Sequence, residues 1–245
     1  MGQEKVGGRP AYYAHTGTRA GDFLALLHPP YTAWNLSYVV IGASLAPNLD
    51  WLRLALVLIA FFAGTGIVSH ALDELNGRPL KTGFSDLELK LIAAAGTALA
   101  LTMTVTGALI ISPWILLFAA LGFLLVAAYT LEWWNGLIHT DLGFGLAWGG
   151  FPALVGFWAQ TRTFSTAALL AAAAATLLSL AQRKLSLNAR FARRTALDGT
   201  AVFETAQGRT RWSKEDLLNS WEAPLRLLAW AVVLFALGLL VLKIH

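Results

Sequence analysis

Long apolar runs alternate with short polar breaks along most of this chain. Seven of the runs approach the roughly 20 residues that a helix rising about 1.5 Å per residue needs to cross a bilayer. They predict spans over residues 31–47, 54–72, 89–111, 113–131, 142–159, 164–181 and 225–242. Pro29-Pro30 punctuates the start of the first, and Ser112-Pro113 divides the third from the fourth, because proline suits a helix start and breaks a helix interior. Gly64, Gly66, Gly96, Gly107, Gly122, Gly143, Gly145, Gly149, Gly150 and Gly156 lie within or at the ends of the runs, as does the alanine run 171–175. Small residues of this kind let helix backbones approach closely. The pattern predicts an all-α polytopic membrane bundle of about seven helices. It forms a single domain over 23–245, preceded by a polar tail, 1–22, and interrupted by a long polar connection, 182–224.

Composition agrees with a membrane setting. The 245 residues are 57% hydrophobic and 13% charged, with mean hydropathy +0.60, whereas about a quarter of the residues in a soluble domain are charged. The absence of cysteine excludes disulfides, zinc-thiolate sites, iron–sulfur clusters and thiol nucleophiles. The tail lacks the short apolar core and small-residue cleavage site of a signal peptide, and it reads as a flexible segment along the headgroups. With seven spans, fifteen of the eighteen Lys and Arg residues fall on one face, and Arg53, Arg162 and Lys243 fall on the other. Cations collect on the cytoplasmic side, so the N-terminus is expected inside and the C-terminus outside, as in an inner membrane. The cations sit at a membrane boundary and account for a pI near 9.6 without invoking nucleic acid.

Candidate chemistry concentrates where the second run ends. Residues 69–83 bring together His70, Asp73, Glu74, Arg78 and Lys81. If the helix continues past Ser69, His70 shares a face with Asp73 and Glu74, by the i+3 and i+4 spacing. Asn76-Gly77 ends it. Such a cluster can hold a divalent cation or serve as acid and base, with Arg78 and Lys81 gripping an anion. It also fits a solvated helix end whose charges pair. The sixth run passes into a second, basic pole, where Arg183, Ser186, Arg190 and Arg194 form one stripe if helical. Arginines in a stripe suit phosphate oxygens, but they serve equally as a topology signal that attracts anionic lipid. Residues 195–221 read as a lid or surface hairpin running into an amphipathic helix that starts at Ser213.

Other signals are weaker. A faint repeat of run lengths, offset by 111 residues from His28 to His139, would set the acidic and basic poles at opposite sides of one cavity. His28 and His139 read as hydrogen-bonding groups at helix ends. Asn35 is either interhelical glue or a cavity residue. Tyr129 and Glu132 close the fourth run, and Trp133-Trp134 reads as an interfacial belt.

These residues resemble those of the UbiA superfamily of intramembrane prenyltransferases. The resemblance rests on the Pro-Pro-Tyr-Thr-Ala-Trp-Asn stretch ending at Asn35, Ile41-Gly42-Ala43, the acidic end of run two with Gly77-Arg78-Pro79-Leu80 and Gly83, Tyr129, and the glycine-rich fifth run. It covers about residues 27–194. It implies a helical bundle with a cavity open to the cytoplasm and lipid, in which two aspartate-rich motifs hold magnesium and the diphosphate of a prenyl donor. Asp73 carries over to the first motif, with Glu74 as second carboxylate and His70 where the family has Asn or Asp. The second motif has no acid here: Gln182, Ser186 and Asn188 stand among arginines. Family members usually have nine spans.

The resemblance implies a protein that binds an isoprenoid diphosphate or polyprenyl lipid among membrane lipids and transfers the prenyl group. Asp73, Glu74 and His70 would be the catalytic and metal-holding residues, with magnesium as the divalent cation. Asn35, Arg78, Lys81, Tyr129, Arg183, Arg190 and Arg194 would bind substrate. Two alternatives stand beside it: a non-catalytic descendant that binds lipid or a partner enzyme, and a different metalloenzyme built on His70, Asp73 and Glu74.

Overall fold

A computed structural model describes residues 10–14, 17–196 and 198–244. Among these, eight principal helices and one hairpin follow in the order α1 (Arg19–Leu26), α2 (Pro29–Ser44), α3 (Trp51–Leu75), α4 (Asp86–Ile110), α5 (Ile115–Thr130), α6 (Asp141–Thr161), α7 (Thr166–Arg194), β1 (Ala201–Thr205), β2 (Gly208–Trp212) and α8 (Lys214–Val241). A short turn, Trp133–Gly136, lies between α5 and α6. Helix starts follow from their caps. Ser85 with Glu88, and Ser213 with Asp216, form capping boxes that satisfy the first free N–H groups of α4 and α8. Asp50, Thr140 and Ser165 cap α3, α6 and α7.

Each of the seven apolar runs is a helix, but the helices are unequal. Five of them, α3, α4, α6, α7 and α8, are long and apolar enough to cross a membrane. At 16 residues, α2 and α5 are about 24 Å long, short of a hydrocarbon core of about 30 Å. The sixth run does not stop at residue 181: α7 continues through the basic stripe to Arg194. The polar connection then forms the antiparallel hairpin Ala201–Thr205 with Gly208–Trp212, the one departure from an all-α chain among the described residues.

Helix α2 occupies the middle of the bundle. Its small residues meet those of α6 so closely that a methyl group at Gly42 would collide with the Ala153 carbonyl, and one at Gly156 with the Val39 carbonyl. Around that contact, Trp34 and Tyr38 pack with alanines of α7 and α8, and Val39 and Ala43 pack with Leu54, Val57 and Val155. The outward faces remain apolar, with Leu227, Trp230, Leu234 and Phe235 of α8 all more than half exposed. A helix greasy on both faces has lipid as its natural solvent.

Connections alternate between two ends of the bundle. At one, Asp50 N donates to Gln160 Oε1 at 2.8 Å and Lys243 Nζ to the Ala46 carbonyl at 2.7 Å. At the other, Gly83 N donates to Asp22 Oδ2 at 3.0 Å, Asn76 Nδ2 to the Thr130 carbonyl at 3.2 Å, and Arg194 Nε to the Pro10 carbonyl at 3.1 Å. The second end carries the candidate chemistry. It also holds part of the expected free tail: Ala14 is fully buried and packs with Ala25 and Leu80. An apolar Ala-Tyr-Tyr-Ala stretch gains by leaving water, which a polar tail would not.

Candidate functional site

The site begins with a change of winding in α3. Over Phe62–Val68 the helix is π-wound, so that Ser69 N bonds the Gly64 carbonyl five residues back. Immediately beyond it, His70 Nδ1 lies 3.1 Å from the Gly66 carbonyl. A carbonyl only accepts, so Nδ1 carries the proton and Nε2 is the lone-pair nitrogen of the neutral ring. The His70 ring stacks on that of His28, centres 4.1 Å apart.

His28 occupies the left-handed region, φ 46 and ψ 56, at the start of α2, a conformation few residues other than glycine adopt. Tyr13 Oη is 2.5 Å from His28 Nδ1, and the Tyr13 ring meets Tyr31 edge-on at 5.6 Å. Burial, then His70 and the charges of Arg194 and Arg190, push His28 well below the ordinary histidine range. Burial raises Tyr13 well above the ordinary tyrosine range. The sequence reading missed Tyr13 altogether. The only hint was an aromatic pair inside a polar tail.

Asp73 lies one turn beyond His70, half-buried, and its carboxylate makes no hydrogen bond to a described residue. Arg190 and Arg194 act on it electrostatically, and on Tyr31 and Tyr13 as well. Asp73, Arg190 and Arg194 therefore lie within electrostatic range of one another at the same end of the bundle. Both arginines are exposed at its rim.

Glu74 is placed differently. It is fully buried and accepts from Leu80 N at 2.9 Å, Thr82 N at 2.8 Å and Thr82 Oγ1 at 3.0 Å. Its carboxylate is the internal scaffold of the loop after α3, not a group presented to the mouth. Arg78 donates to the Phe84 carbonyl at 2.5 Å and pairs with Asp86, and Lys81 is exposed. Both hold the left-handed backbone of this loop, at φ 52 and 54. Among the described residues no three His, Asp or Glu side chains gather as a group able to hold a metal ion.

The arginine stripe divides in the same way. Arg183 is buried, donates from Nε to Asp141 Oδ1 at 2.8 Å and from its fork to the Tyr129 hydroxyl, and lies 5.6 Å from the centre of the Tyr129 ring. Lys184 takes the other Asp141 oxygen at 2.7 Å, and His139 stacks on Tyr129 at 4.3 Å. Arg193 grips the buried Glu222 of α8 with two nitrogens, one of them at 2.7 Å from Oε2. That ion pair was also missed. Its signal was an acid in an otherwise apolar stretch of α8. Glu132 is exposed on the turn after α5, beside Trp133 and Trp134.

Between α3, α4, α5 and α6 lies a partly open apolar cavity of about 90 Å³, lined from Gly64 and Val126 to Leu56, Ile111 and Ile115. Thr65 and Thr104 are its polar lining; the remainder includes Gly64, Val126, Trp148 and Phe151. Both π-wound segments, Phe62–Val68 and Leu146–Gly150, contribute to its wall.

No known family, curated protein or solved structure matches the chain. The function is read from these residues alone.

Proposed function

We propose that the chain is a UbiA-like intramembrane enzyme that binds an isoprenoid diphosphate, or a related polyprenyl lipid, and transfers its prenyl group to an acceptor. The observation that carries this reading is the placement of Arg190 and Arg194 within electrostatic range of Asp73, at the rim of a bundle whose interior holds an apolar cavity. An anionic head with a hydrocarbon tail satisfies both. The two guanidinium groups hold the departing diphosphate in place of a second cation site, because fixed charges aimed at a leaving group lower its barrier without reorganising.

A magnesium ion suits Asp73, whose carboxylate makes no hydrogen bond or ion pair with a described residue. Magnesium is commonly held by one or two carboxylates together with substrate phosphate oxygens, and Asp73 supplies the protein share. When bound, it neutralises charge on the diphosphate. Asp73 positions that end of the substrate, Arg190 and Arg194 hold the other, and His70 Nε2 remains a proton acceptor beside them. On this reading the seven helices all cross the membrane, with the mouth and N-terminus cytoplasmic and the C-terminus outside. A cysteine placed at Ser85 resists impermeant thiol reagents in intact cells; labelling there overturns the orientation.

A second reading is favoured by one observation: Glu74 is engaged within its loop, leaving Asp73 as a lone carboxylate. A protein of this build binds prenyl lipid or a partner enzyme without transfer. Calorimetric titration with geranyl diphosphate, with and without magnesium, tests the reading. Binding weakens about tenfold in Arg190→Gln, the loss expected of one charge-assisted hydrogen bond, and Asp73→Asn abolishes its magnesium dependence. Unchanged binding in both variants rejects the diphosphate site. Binding without any prenyl transfer in cell extract selects the second reading.

A further inference from the structure

Residues 10–14 lie across the end of the bundle that carries Arg190 and Arg194, and their contacts reach four helices. The Pro10 carbonyl accepts from Arg194 Nε of α7 at 3.1 Å. The guanidinium of Arg226 of α8 lies over the Tyr12 ring, 5.8 Å from its centre. Tyr13 donates its hydroxyl to His28 Nδ1 at the start of α2 and meets the Tyr31 ring edge-on. Ala14 N closes a turn on the Ala11 carbonyl at 3.1 Å, and Ala14 packs with Ala25 of α1 and with Leu80 of the loop after α3.

This strap covers the layer of the two arginines. Tyr13 is within electrostatic range of Arg194 and Arg190, which also act on Asp73. The ring of His28, which Tyr13 holds, rests on His70. Asn35, about two turns further along α2, is buried and does not line the apolar cavity, so the site under the strap is the arginine layer and not a deeper one.

The hold of the strap is slight for its length. Ala14 is its one buried residue, and a methyl group is the smallest apolar side chain that burial can reward. The Tyr12 hydroxyl is closed off and meets no hydrogen-bonding group of a described residue, a cost that release into water removes. Arg194 is exposed, and the Pro10 carbonyl offers it one neutral acceptor. A phosphate group bonds a guanidinium about twice as strongly as a neutral acceptor does, and with two parallel bonds. Segments with few buried contacts are also the first to open.

We infer that residues 10–14 are an autoinhibitory strap that, when docked, holds Arg194 on the Pro10 carbonyl and covers the arginine layer, so that the strap and a phosphate-bearing anion exclude each other. On the diphosphate reading, on which the identity of the natural anion rests, the substrate head opens its own site. The exclusion is reciprocal: the anion loosens the strap by the factor by which the strap weakens the anion. The full chain then binds less tightly than its open form, in proportion to the fraction that is open.

Hydrogen exchange of the wild-type chain in detergent tests this without a substitution, because residues 11–14 all carry a backbone N–H. The probes are inorganic pyrophosphate and geranyl diphosphate, both free of magnesium, with binding followed by calorimetry. Excess pyrophosphate speeds exchange at residues 11–14 by about fivefold or more, the lower end of ordinary coupling between sites, and leaves the middle of α2 unchanged. Tyr13→Phe keeps the ring and removes the bond to His28. It speeds the same exchange with no anion present and binds pyrophosphate about threefold to tenfold more tightly than the wild type, as loss of one neutral hydrogen bond from the competing strap allows. Unchanged exchange with pyrophosphate overturns the strap. Slower exchange does so as well, and makes the segment a lid that closes over its ligand. Unaltered pyrophosphate affinity in Tyr13→Phe leaves the contact merely structural and also overturns it. If pyrophosphate speeds exchange but geranyl diphosphate binds no more tightly than pyrophosphate, the prenyl reading falls and the strap stands. If geranyl diphosphate binds more tightly yet neither anion alters exchange, the prenyl reading stands and the strap falls.

Discussion

The imidazole of His28 lies nearly flat on that of His70, ring centres 4.1 Å apart and planes inclined by 27°. Two stacked imidazolium ions would repel, and Arg194 and Arg190 add positive potential at His28. The pair is therefore a neutral pair, locked between Tyr13 and the Gly66 carbonyl.

From this follows a pH dependence. His28 is held below its unfolded value of about 6.5. The unfolded or detached state then binds more protons than the folded one as pH falls through 6.5. Stability from His28 is complete above about pH 6.5 and declines below it toward the folded pKa. Thermal unfolding in detergent falls from pH 7.5 to pH 5, and His28→Gln shows a smaller fall than the wild type. Hydrogen exchange of residues 10–14 rises over the same range. An equal pH response in His28→Gln rejects the assignment.

Glu74 and Asp73 are adjacent in sequence and opposite in consequence. Glu74→Gln replaces an oxygen acceptor by a donor facing the N–H groups of Leu80 and Thr82. A buried charge-assisted bond is worth about 1.5–3 kcal/mol, so the loop after α3 loosens and the melting temperature drops by several degrees. Asp73→Asn, whose carboxylate has no hydrogen bond to a described residue to lose, leaves melting nearly unchanged. Equal melting of the two variants contradicts this division.

The α2–α6 contact makes a sharper prediction. A methyl group at Gly42 meets backbone, which cannot rotate away, so Gly42→Ala forces the two central helices apart. Overpacking of this kind costs about 1–3 kcal/mol, and more where backbone is the obstacle. Gly64→Ala, where added volume meets open space, is tolerated. Yield of folded protein by size exclusion in detergent compares the two.

Much of the architecture was legible in the chain because lipid imposes a simple rule: apolar runs of about 20 residues become helices. All seven runs, the cap at Ser213 and the hairpin in the polar connection follow from such local signals. What escaped was tertiary. Glu74 has the spacing of a mouth residue, yet the left-handed turns at Arg78 and Lys81 curl the loop back until its N–H groups reach the carboxylate. Periodicity gives the face a residue occupies, but not which segment returns to cover that face. Tyr13 escaped for the same reason, since its partner His28 lies fifteen residues further along.

The arginines of α7 form a stripe in sequence, and the structure predicts that they answer mutation in opposite ways. Arg183 is buried, with Asp141, Tyr129 and Phe144 around its guanidinium. Arg183→Gln leaves the Tyr129 hydroxyl without that donor and Asp141 with Lys184 alone. Asp141 is about a third exposed, so the loss is smaller than for a fully buried pair, about 1–3 kcal/mol. Arg183→Lys recovers part of it, because a lysine cannot bond both partners with one planar fork. Arg190 is exposed at the rim, and Arg190→Gln shifts stability by no more than about 0.5 kcal/mol, as surface changes usually do. The roles reverse for ligand. Geranyl diphosphate affinity falls in Arg190→Gln and stays nearly constant in Arg183→Gln once the comparison is made below the melting temperature of each variant. A stable Arg183→Gln that has lost diphosphate binding would instead place the phosphate deep in the bundle, at the level of Tyr129.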